Sequence, residues 1–85
     1  MPPILIYTKA SCPFCVAAKD LLRRKGAAYE EIDVTGRPGE QQAMSAKANG
    51  RRTVPQIFIG AIHVGGCDDL YDLEATGGLD PLLAA

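Results

Sequence analysis

The chain has 85 residues, of which 47% are hydrophobic and 22% charged, and its formal net charge is -1. This length predicts one domain over residues 1–85, and the balanced charge argues against a nucleic-acid binder, which usually carries a marked basic excess. The apolar run Pro2–Tyr7 is too short for a membrane span and lacks signal-peptide features, and three cysteines suit a reducing compartment, so we expect a cytoplasmic protein without a membrane partner.

The first half of the chain predicts two strands separated by a helix. Ile4–Thr8 is a continuous β-branched and aromatic run, which is typical of a strand buried on both faces. Pro13 suits the first position of a helix with Cys12 as its N-cap residue, and Gly26 ends that helix. The pattern of Ala28–Val34 predicts the second strand.

The second half predicts a helix, a hairpin and two more helices. Pro38–Ala48 is the predicted second helix, and Gln56–Gly60 and Ile62–Gly66 are the strands of the hairpin. A third helix is predicted from Cys67 to Ala75 and a short final one from Leu79 to Leu83. The order β-α-β-α-β-β-α predicts an α/β fold, in which helices flank a four-stranded mixed sheet.

Cys12 and Cys15 lie where the first predicted strand meets the first helix, which indicates a thioredoxin-like redox motif. A helix N-terminus presents unpaired N–H groups and the positive end of the dipole to Cys12, and Lys9 adds a positive charge. The pKa of the Cys12 thiol should therefore fall below its ordinary value of about 8.5. Cys15, one turn into the helix, should be more buried. We predict that Cys12 attacks disulfides and that Cys15 resolves the intermediate.

A structural zinc site is the alternative interpretation of the same pair. Tetrahedral zinc needs about four ligands, and His63 and Cys67 are the only other strong ligands in the chain. This alternative gives no role to Thr53–Pro55 or to Gly65–Asp69. We therefore expect no metal site.

Three motifs follow the order and spacing of the glutaredoxin family: YTKASCPFCVAAKDLL at Tyr7–Leu22, RTVPQIFI at Arg52–Ile59 and HVGGCDDL at His63–Leu70. The whole chain resembles this family, most closely the dithiol, bacterial glutaredoxin 3 branch. The resemblance implies a thioredoxin-like (glutaredoxin) fold. It also implies glutathione-dependent reduction of protein disulfides and glutathione mixed disulfides through Cys12 and Cys15. Phe14 departs from the tyrosine usual in the family, which removes a hydroxyl and any hydrogen bond that it would make.

The resemblance further implies a glutathione site with two walls. A cis Val54–Pro55 bond would let Val54 offer its backbone N–H and C=O to glutathione as to an added strand. Gly66 would allow close approach to a helix start, where N–H groups hold the γ-glutamyl carboxylate and Asp68 pairs with the amine. Lys9, and Arg51 or Arg52, are candidates for the glycine carboxylate. The predicted site comprises Lys9, Phe14, Arg52, Thr53, Val54, Pro55, Gly66, Cys67 and Asp68.

Some residues of these motifs also have plainer interpretations. Asp68 could cap the third helix, and Asp69 is interpreted as an ordinary acidic residue of the first turn that offsets the helix dipole. Cys67 is interpreted as a small buried hydrophobe. His63 is interpreted as a partly exposed sheet residue rather than a catalytic base.

The resemblance implies glutathione as co-substrate, regenerated by an NADPH-dependent glutathione reductase, with no bound metal or prosthetic group. The expected clients of this monomer are disulfide-containing or glutathionylated proteins, with ribonucleotide reductase as one candidate. An iron–sulfur carrier is the rival from another class, but related monothiol glutaredoxins have Cys-Gly-Phe-Ser where this chain keeps Pro13 and Cys15. The rival among enzymes is a reductant driven by thioredoxin reductase, whose motif is typically Cys-Gly-Pro-Cys.

Overall fold

The computed structural model describes all 85 residues, Met1–Ala85. It contains β1 (Ile4–Thr8), α1 (Pro13–Arg24), β2 (Glu30–Asp33), α2 (Pro38–Lys47), β3 (Gln56–Ile59), β4 (Ile62–Gly65), α3 (Cys67–Thr76) and α4 (Leu79–Ala84). The predicted order of elements, including the short final helix, is confirmed. None of the helices has the length and apolar composition needed to cross a membrane.

The strands form one sheet in the order β2-β1-β3-β4. β1 runs parallel to β2 and antiparallel to β3, and β3 pairs antiparallel with β4. Tyr7 near the end of β1 therefore lies opposite Gln56 at the start of β3, and Ile57 lies opposite Gly65 at the end of β4. This register brings the loop before α1, the segment before β3 and the start of α3 to the same end of the sheet.

The core has two parts, one on each face of the sheet. Ile4 and Ile6 belong to the larger part, whereas Tyr7 belongs to the smaller one, because successive side chains of β1 point to opposite faces. The larger part contains Ile4, Ile6, Ala18, Leu21, Leu22, Ala27, Ile57, Ile59, Cys67, Leu70, Leu79 and Leu83. The smaller part joins Tyr7 to Val34 and Met44, the last from α2. The prediction that β1 is buried on both faces is confirmed.

The element boundaries differ from the predictions mainly at β2. This strand covers Glu30–Asp33 rather than the predicted Ala28–Val34, because regular pairing with β1 begins at Glu30 and ends at Asp33. Val34 nevertheless keeps a contact with β1, since its N–H donates to the Thr8 carbonyl at 2.8 Å. The ends of α2, α3 and α4 differ by one residue from the prediction, as is usual at fraying helix termini.

Candidate active site

Cys12 is the N-cap residue of α1, and its sulfur occupies the place that a serine or aspartate oxygen usually takes at this position. The Cys12 backbone is extended, and Pro13 opens the helix. The backbone N–H of Cys15 donates to Cys12 Sγ at 3.1 Å. The start of α1 therefore presents to this sulfur a backbone N–H group that has no partner within the helix, as the sequence predicted.

Cys12 and Cys15 lie at disulfide distance, with their Cα atoms 5.2 Å apart, so the fold holds the two sulfurs where a disulfide can form. Cys15 is 2% exposed, whereas Cys12 is only half-buried. Cys12 Sγ also lies 3.9 Å from the carbonyl oxygen of Val54. The sulfur that an incoming disulfide can reach is therefore that of Cys12.

A cleft of about 150 Å³ lies beside the pair, between the segment before β3 and the start of α3. Its lining consists of Phe14, Arg51, Thr53, Val54, Pro55, Gly66, Cys67, Asp68 and Asp69. The structure thus brings together most of the residues predicted to bind glutathione, although they come from three distant parts of the chain.

The wall formed by the segment before β3 offers free backbone groups. The Val54–Pro55 peptide bond is cis, as the resemblance implied. The N–H of Val54 takes part in no hydrogen bond within the protein. Val54 lines the cleft, and its free N–H with its own carbonyl can pair with an extended peptide in the manner of an added strand.

The opposite wall is the first turn of α3, which Asp69 caps. Its Oδ2 accepts hydrogen bonds from the Gly66 N–H at 2.8 Å and from Arg51 Nη1 at 3.1 Å. These contacts, the Gly66 N–H first and the Arg51 guanidinium next, lower the pKa of the Asp69 carboxyl. The alternative that Asp68 caps this helix is wrong, because the carboxylate that accepts from the Gly66 N–H is that of Asp69, at the third helical position. Asp68 is exposed at the cleft.

Two residues of the predicted site lie outside the cleft. Lys9 lines a second groove of about 540 Å³, which Cys12 and Cys15 also border. Arg52 is exposed, and its carbonyl accepts a hydrogen bond from Gln41 Nε2 at 3.3 Å. Arg51, named as the alternative to Arg52, is the arginine that lines the cleft.

Cys67 is 8% exposed and belongs to the larger part of the core. Burial raises the pKa of its thiol, and the neighbouring Asp68 carboxylate raises it further. Its interpretation as a small buried hydrophobe is therefore confirmed. The residue also lines the cleft.

Two residues next to the pair and the cleft were missed from the sequence. Gln56 is fully buried, and its Nε2 donates to the Thr53 carbonyl at 3.0 Å. Lys19 borders the second groove and pairs with Glu31 at 3.1 Å. A polar residue at the start of an otherwise apolar strand was a signal that could have revealed Gln56. Nothing in the sequence indicated the Lys19 pair, which depends on how α1 packs over β2.

The structure places no three histidine, cysteine or acidic side chains together in an arrangement that could hold a metal ion. His63 lies within β4, and Cys67 begins α3. The four zinc ligands considered from the sequence are therefore not gathered around one point.

Comparison with known proteins adds to this geometry. The family model described as glutaredoxin matches residues 4–64. The glutaredoxin of Pseudomonas aeruginosa is 56% identical over 85 residues, which is 100% of both chains. Glutaredoxin 3 of Escherichia coli is 54% identical over 83 residues, covering 98% of this chain and 99% of that one. The crystal structure of a buckwheat glutaredoxin–glutathione complex matches with a TM-score of 0.88 at 33% identity, covering 98% of this chain and 77% of that one.

Proposed function

The chain belongs to the glutaredoxin family and is a glutathione-dependent thiol–disulfide oxidoreductase, and on this premise we propose that Cys12 is its attacking thiol and Cys15 its resolving thiol. The observation that carries this assignment is the difference in exposure, since Cys12 is half-buried, with its sulfur 3.9 Å from the Val54 carbonyl, and Cys15 is 2% exposed. The Cys15 N–H and the positive end of α1 favour the thiolate of Cys12 in the reduced protein.

Reduction of a glutathione mixed disulfide needs Cys12 alone. Its thiolate attacks the glutathione sulfur, a bond forms between these sulfurs, and the client leaves as a thiolate. A second glutathione thiolate then attacks the glutathione sulfur bound to Cys12. Oxidised glutathione leaves, and the Cys12 thiolate is restored. Cys15 takes no part in this sequence.

Reduction of a protein disulfide uses both cysteines. Cys12 attacks one client sulfur and forms a mixed disulfide, while the other client sulfur leaves as a thiolate. Cys15, having lost its proton, then attacks Cys12 Sγ and releases the second client thiolate. The product is the Cys12–Cys15 disulfide, for which the two cysteines already lie at the right distance, and two glutathione molecules return it to the dithiol.

We propose that glutathione lies in the cleft with its chain paired to the Val54 backbone. Its γ-glutamyl carboxylate would accept from the N–H groups of Cys67 and Asp68, and its amine would pair with the Asp68 carboxylate. The lining of the cleft and the free Val54 N–H support this placement. For the glycine carboxylate we favour Lys9, which lines the second groove with Cys12, because Arg51 pairs with Asp69 at the wall assigned to the γ-glutamyl group.

We further propose that the protein works as a cytoplasmic monomer with one glutaredoxin domain over residues 1–85. Its clients would be glutathionylated and disulfide-containing proteins, with ribonucleotide reductase as a candidate. Glutathione reductase and NADPH would regenerate the glutathione that is consumed. The odd number of cysteines, which suits a reducing environment, supports the compartment.

The assignment of the two thiols is tested by Cys12→Ser and Cys15→Ser. Consumption of NADPH is followed with glutathione and glutathione reductase, once on a glutathionylated peptide and once on a protein disulfide. We expect Cys12→Ser to abolish both activities. Cys15→Ser should keep most of the first activity and lose the second, because only protein disulfides need the resolving thiol. Activity in Cys12→Ser, or loss of the first activity in Cys15→Ser, contradicts the assignment.

A further inference from the structure

Gln56 is a polar side chain enclosed in the core, directly after the segment that lines the cleft. It is 0% exposed. Its Nε2 donates to the Thr53 carbonyl at 3.0 Å and to Thr53 Oγ1 at 3.3 Å, and its Oε1 lies 2.7 Å from His63 Nε2. Burying an amide costs free energy, because the amide loses its hydrogen bonds to water, and an apolar side chain would not have this cost. The glutamine at this buried position therefore indicates a role for its hydrogen bonds.

The contact with Gln56 determines which nitrogen of His63 carries the proton. An amide oxygen only accepts hydrogen bonds, so His63 Nε2 must donate. Nδ1 of the neutral ring is then an acceptor, and Asn49 Nδ2 lies 3.5 Å from it. The ring also stacks on Phe58, with centroids 4.9 Å apart and planes at 24°. His63 is thus held in one orientation, with its donor aimed at Gln56.

Thr53 depends on Gln56 for its position. It lies outside any helix or strand and is exposed, and its only hydrogen-bond partner within the protein is the Gln56 amide. Val54, whose backbone we assign to glutathione, is the next residue. A displaced Thr53 carbonyl would rotate the peptide plane that carries the Val54 N–H, since the carbonyl and this N–H share one plane.

We propose that Gln56 and His63 are positioning residues for glutathione: His63 orients the Gln56 amide, and this amide holds Thr53 so that the Val54 N–H points into the cleft. The proposal rests on the placement of glutathione given above. It assigns to Gln56 and His63 no contact with the substrate and no proton transfer. The proposal therefore predicts that Gln56 and His63 affect exchange only with a disulfide that has a peptide backbone.

The experiment measures an exchange equilibrium in the Cys15→Ser background. The Cys12 thiolate attacks glutathione disulfide, the bond between Cys12 sulfur and glutathione sulfur forms, and the disulfide of the reagent breaks. One glutathione thiolate leaves, so no other oxidant is needed. The same exchange with bis(2-hydroxyethyl) disulfide, which has no peptide groups, is the reference. The variants Gln56→Met and His63→Phe are compared with the unaltered background, and heat unfolding checks that each is folded.

We expect each variant to lower the equilibrium constant with glutathione disulfide roughly threefold to tenfold, the effect of losing about one hydrogen bond. The constant with the reference disulfide should stay unchanged. His63→Phe should add nothing in the Gln56→Met background, because His63 acts through Gln56. His63 is only half-buried and phenylalanine can keep the stack on Phe58, so His63→Phe tests the proposal even where Gln56→Met fails to fold.

Asn49→Gly is the matched control, because it removes the other hydrogen bond of the His63 ring, leaves the Gln56 bond, and tolerates the φ of 56° at this position. We expect it to leave both constants unchanged, and a fall as large as that of His63→Phe would overturn the proposal. Equal losses with both disulfides, or no loss in Gln56→Met and His63→Phe, would also overturn it. If the unaltered background shows no preference for glutathione disulfide over the reference, the placement of glutathione fails together with the positioning role. If the background prefers glutathione disulfide and the Gln56 and His63 variants keep that preference, only the positioning role is refuted.

Discussion

At the scale of single residues, the first turn of α3 holds two adjacent carboxylates with different tasks. Asp69 accepts a hydrogen bond from the Gly66 N–H and pairs with Arg51, so its charge is already paired within the protein. Asp68 is exposed at the cleft and makes neither contact. Its charge is therefore available to a ligand ammonium group, and this assignment can be tested by neutralising it.

Asp68→Asn should lower the apparent affinity for glutathione without affecting the fold. Because Asp68 is exposed, water screens its attraction for the γ-glutamyl amine, and we expect a loss of roughly twofold to fivefold. The measurement is the glutathione dependence of mixed-disulfide reduction, with heat unfolding as the check on stability. Asp72→Asn, a neutralised exposed carboxylate further along α3 and outside the cleft, is the matched control. An equal effect of both variants would mean that only net charge matters.

At the scale of elements, the link between β4 and α3 shows why two successive glycines are not equivalent. Gly65 has a φ of +114°, which L side chains rarely adopt, and a Cβ there would meet the Asp69 carboxylate and lie 2.7 Å from Arg51 Nη1. Gly66 has a φ of -92°, and a Cβ there would meet nothing closer than about 3.5 Å, at Arg51 and the Pro55 carbonyl. Gly65 therefore allows the positive φ of the backbone, whereas the absence of a side chain at Gly66 leaves room in the cleft.

Alanine substitutions should separate these two roles. Gly65→Ala should lower the free energy of unfolding by about 2 kcal/mol or more, because it adds backbone strain and disturbs the Asp69 cap. Gly66→Ala should change stability little, yet narrow the cleft and weaken glutathione binding roughly fivefold. Denaturant unfolding and mixed-disulfide kinetics are the two measurements. A destabilised Gly66→Ala, or a stable Gly65→Ala, would contradict this division.

Most elements and the motifs of the site could be predicted because their signals are local. Pro13 and Pro38 mark helix starts, and the residues after β1 and β4 carry recognisable motifs. The pairing of Gln56 with His63 could not be predicted, because a register irregularity at Ile57 and Phe58 shifts β4 against β3. Such an irregularity depends on packing between strands. The same limit explains why the sequence left Arg51 and Arg52 as alternatives, since a loop of unknown conformation decides which arginine faces the cleft.

At the scale of the whole molecule, Lys25 connects three helices outside the cysteine pair and the cleft. It is the C-cap residue of α1. Its Nζ lies 2.7 Å from Glu74 of α3 and 2.9 Å from Asp80 of α4. The hydrogen bond to Glu74, and next that to Asp80, raise the pKa of the Lys25 ammonium. A group whose pKa is raised by folding stabilises the folded state while it is protonated.

Lys25→Gln should therefore lower the midpoint of heat unfolding at neutral pH. The difference from the unaltered protein should be constant up to about pH 10, where the unfolded lysine begins to lose its proton, and should shrink as the pH rises through the higher folded pKa. Lys47→Gln tests whether any lost lysine charge gives the same profile. A difference that is unchanged by alkaline pH would show that the ammonium is not what stabilises the packing.

The cleft is built from Phe14, Thr53–Pro55 and Gly66–Asp69, segments that meet only when the whole chain has folded. An unfolded chain has no such surface, so glutathione held in the cleft as proposed would bind only the folded state and stabilise it. Well above the dissociation constant, each tenfold rise in free ligand adds about 1.4 kcal/mol to the free energy of unfolding. With this placement the co-substrate would also stabilise the enzyme, and a fall in cellular glutathione would remove its reductant and part of its resistance to unfolding together.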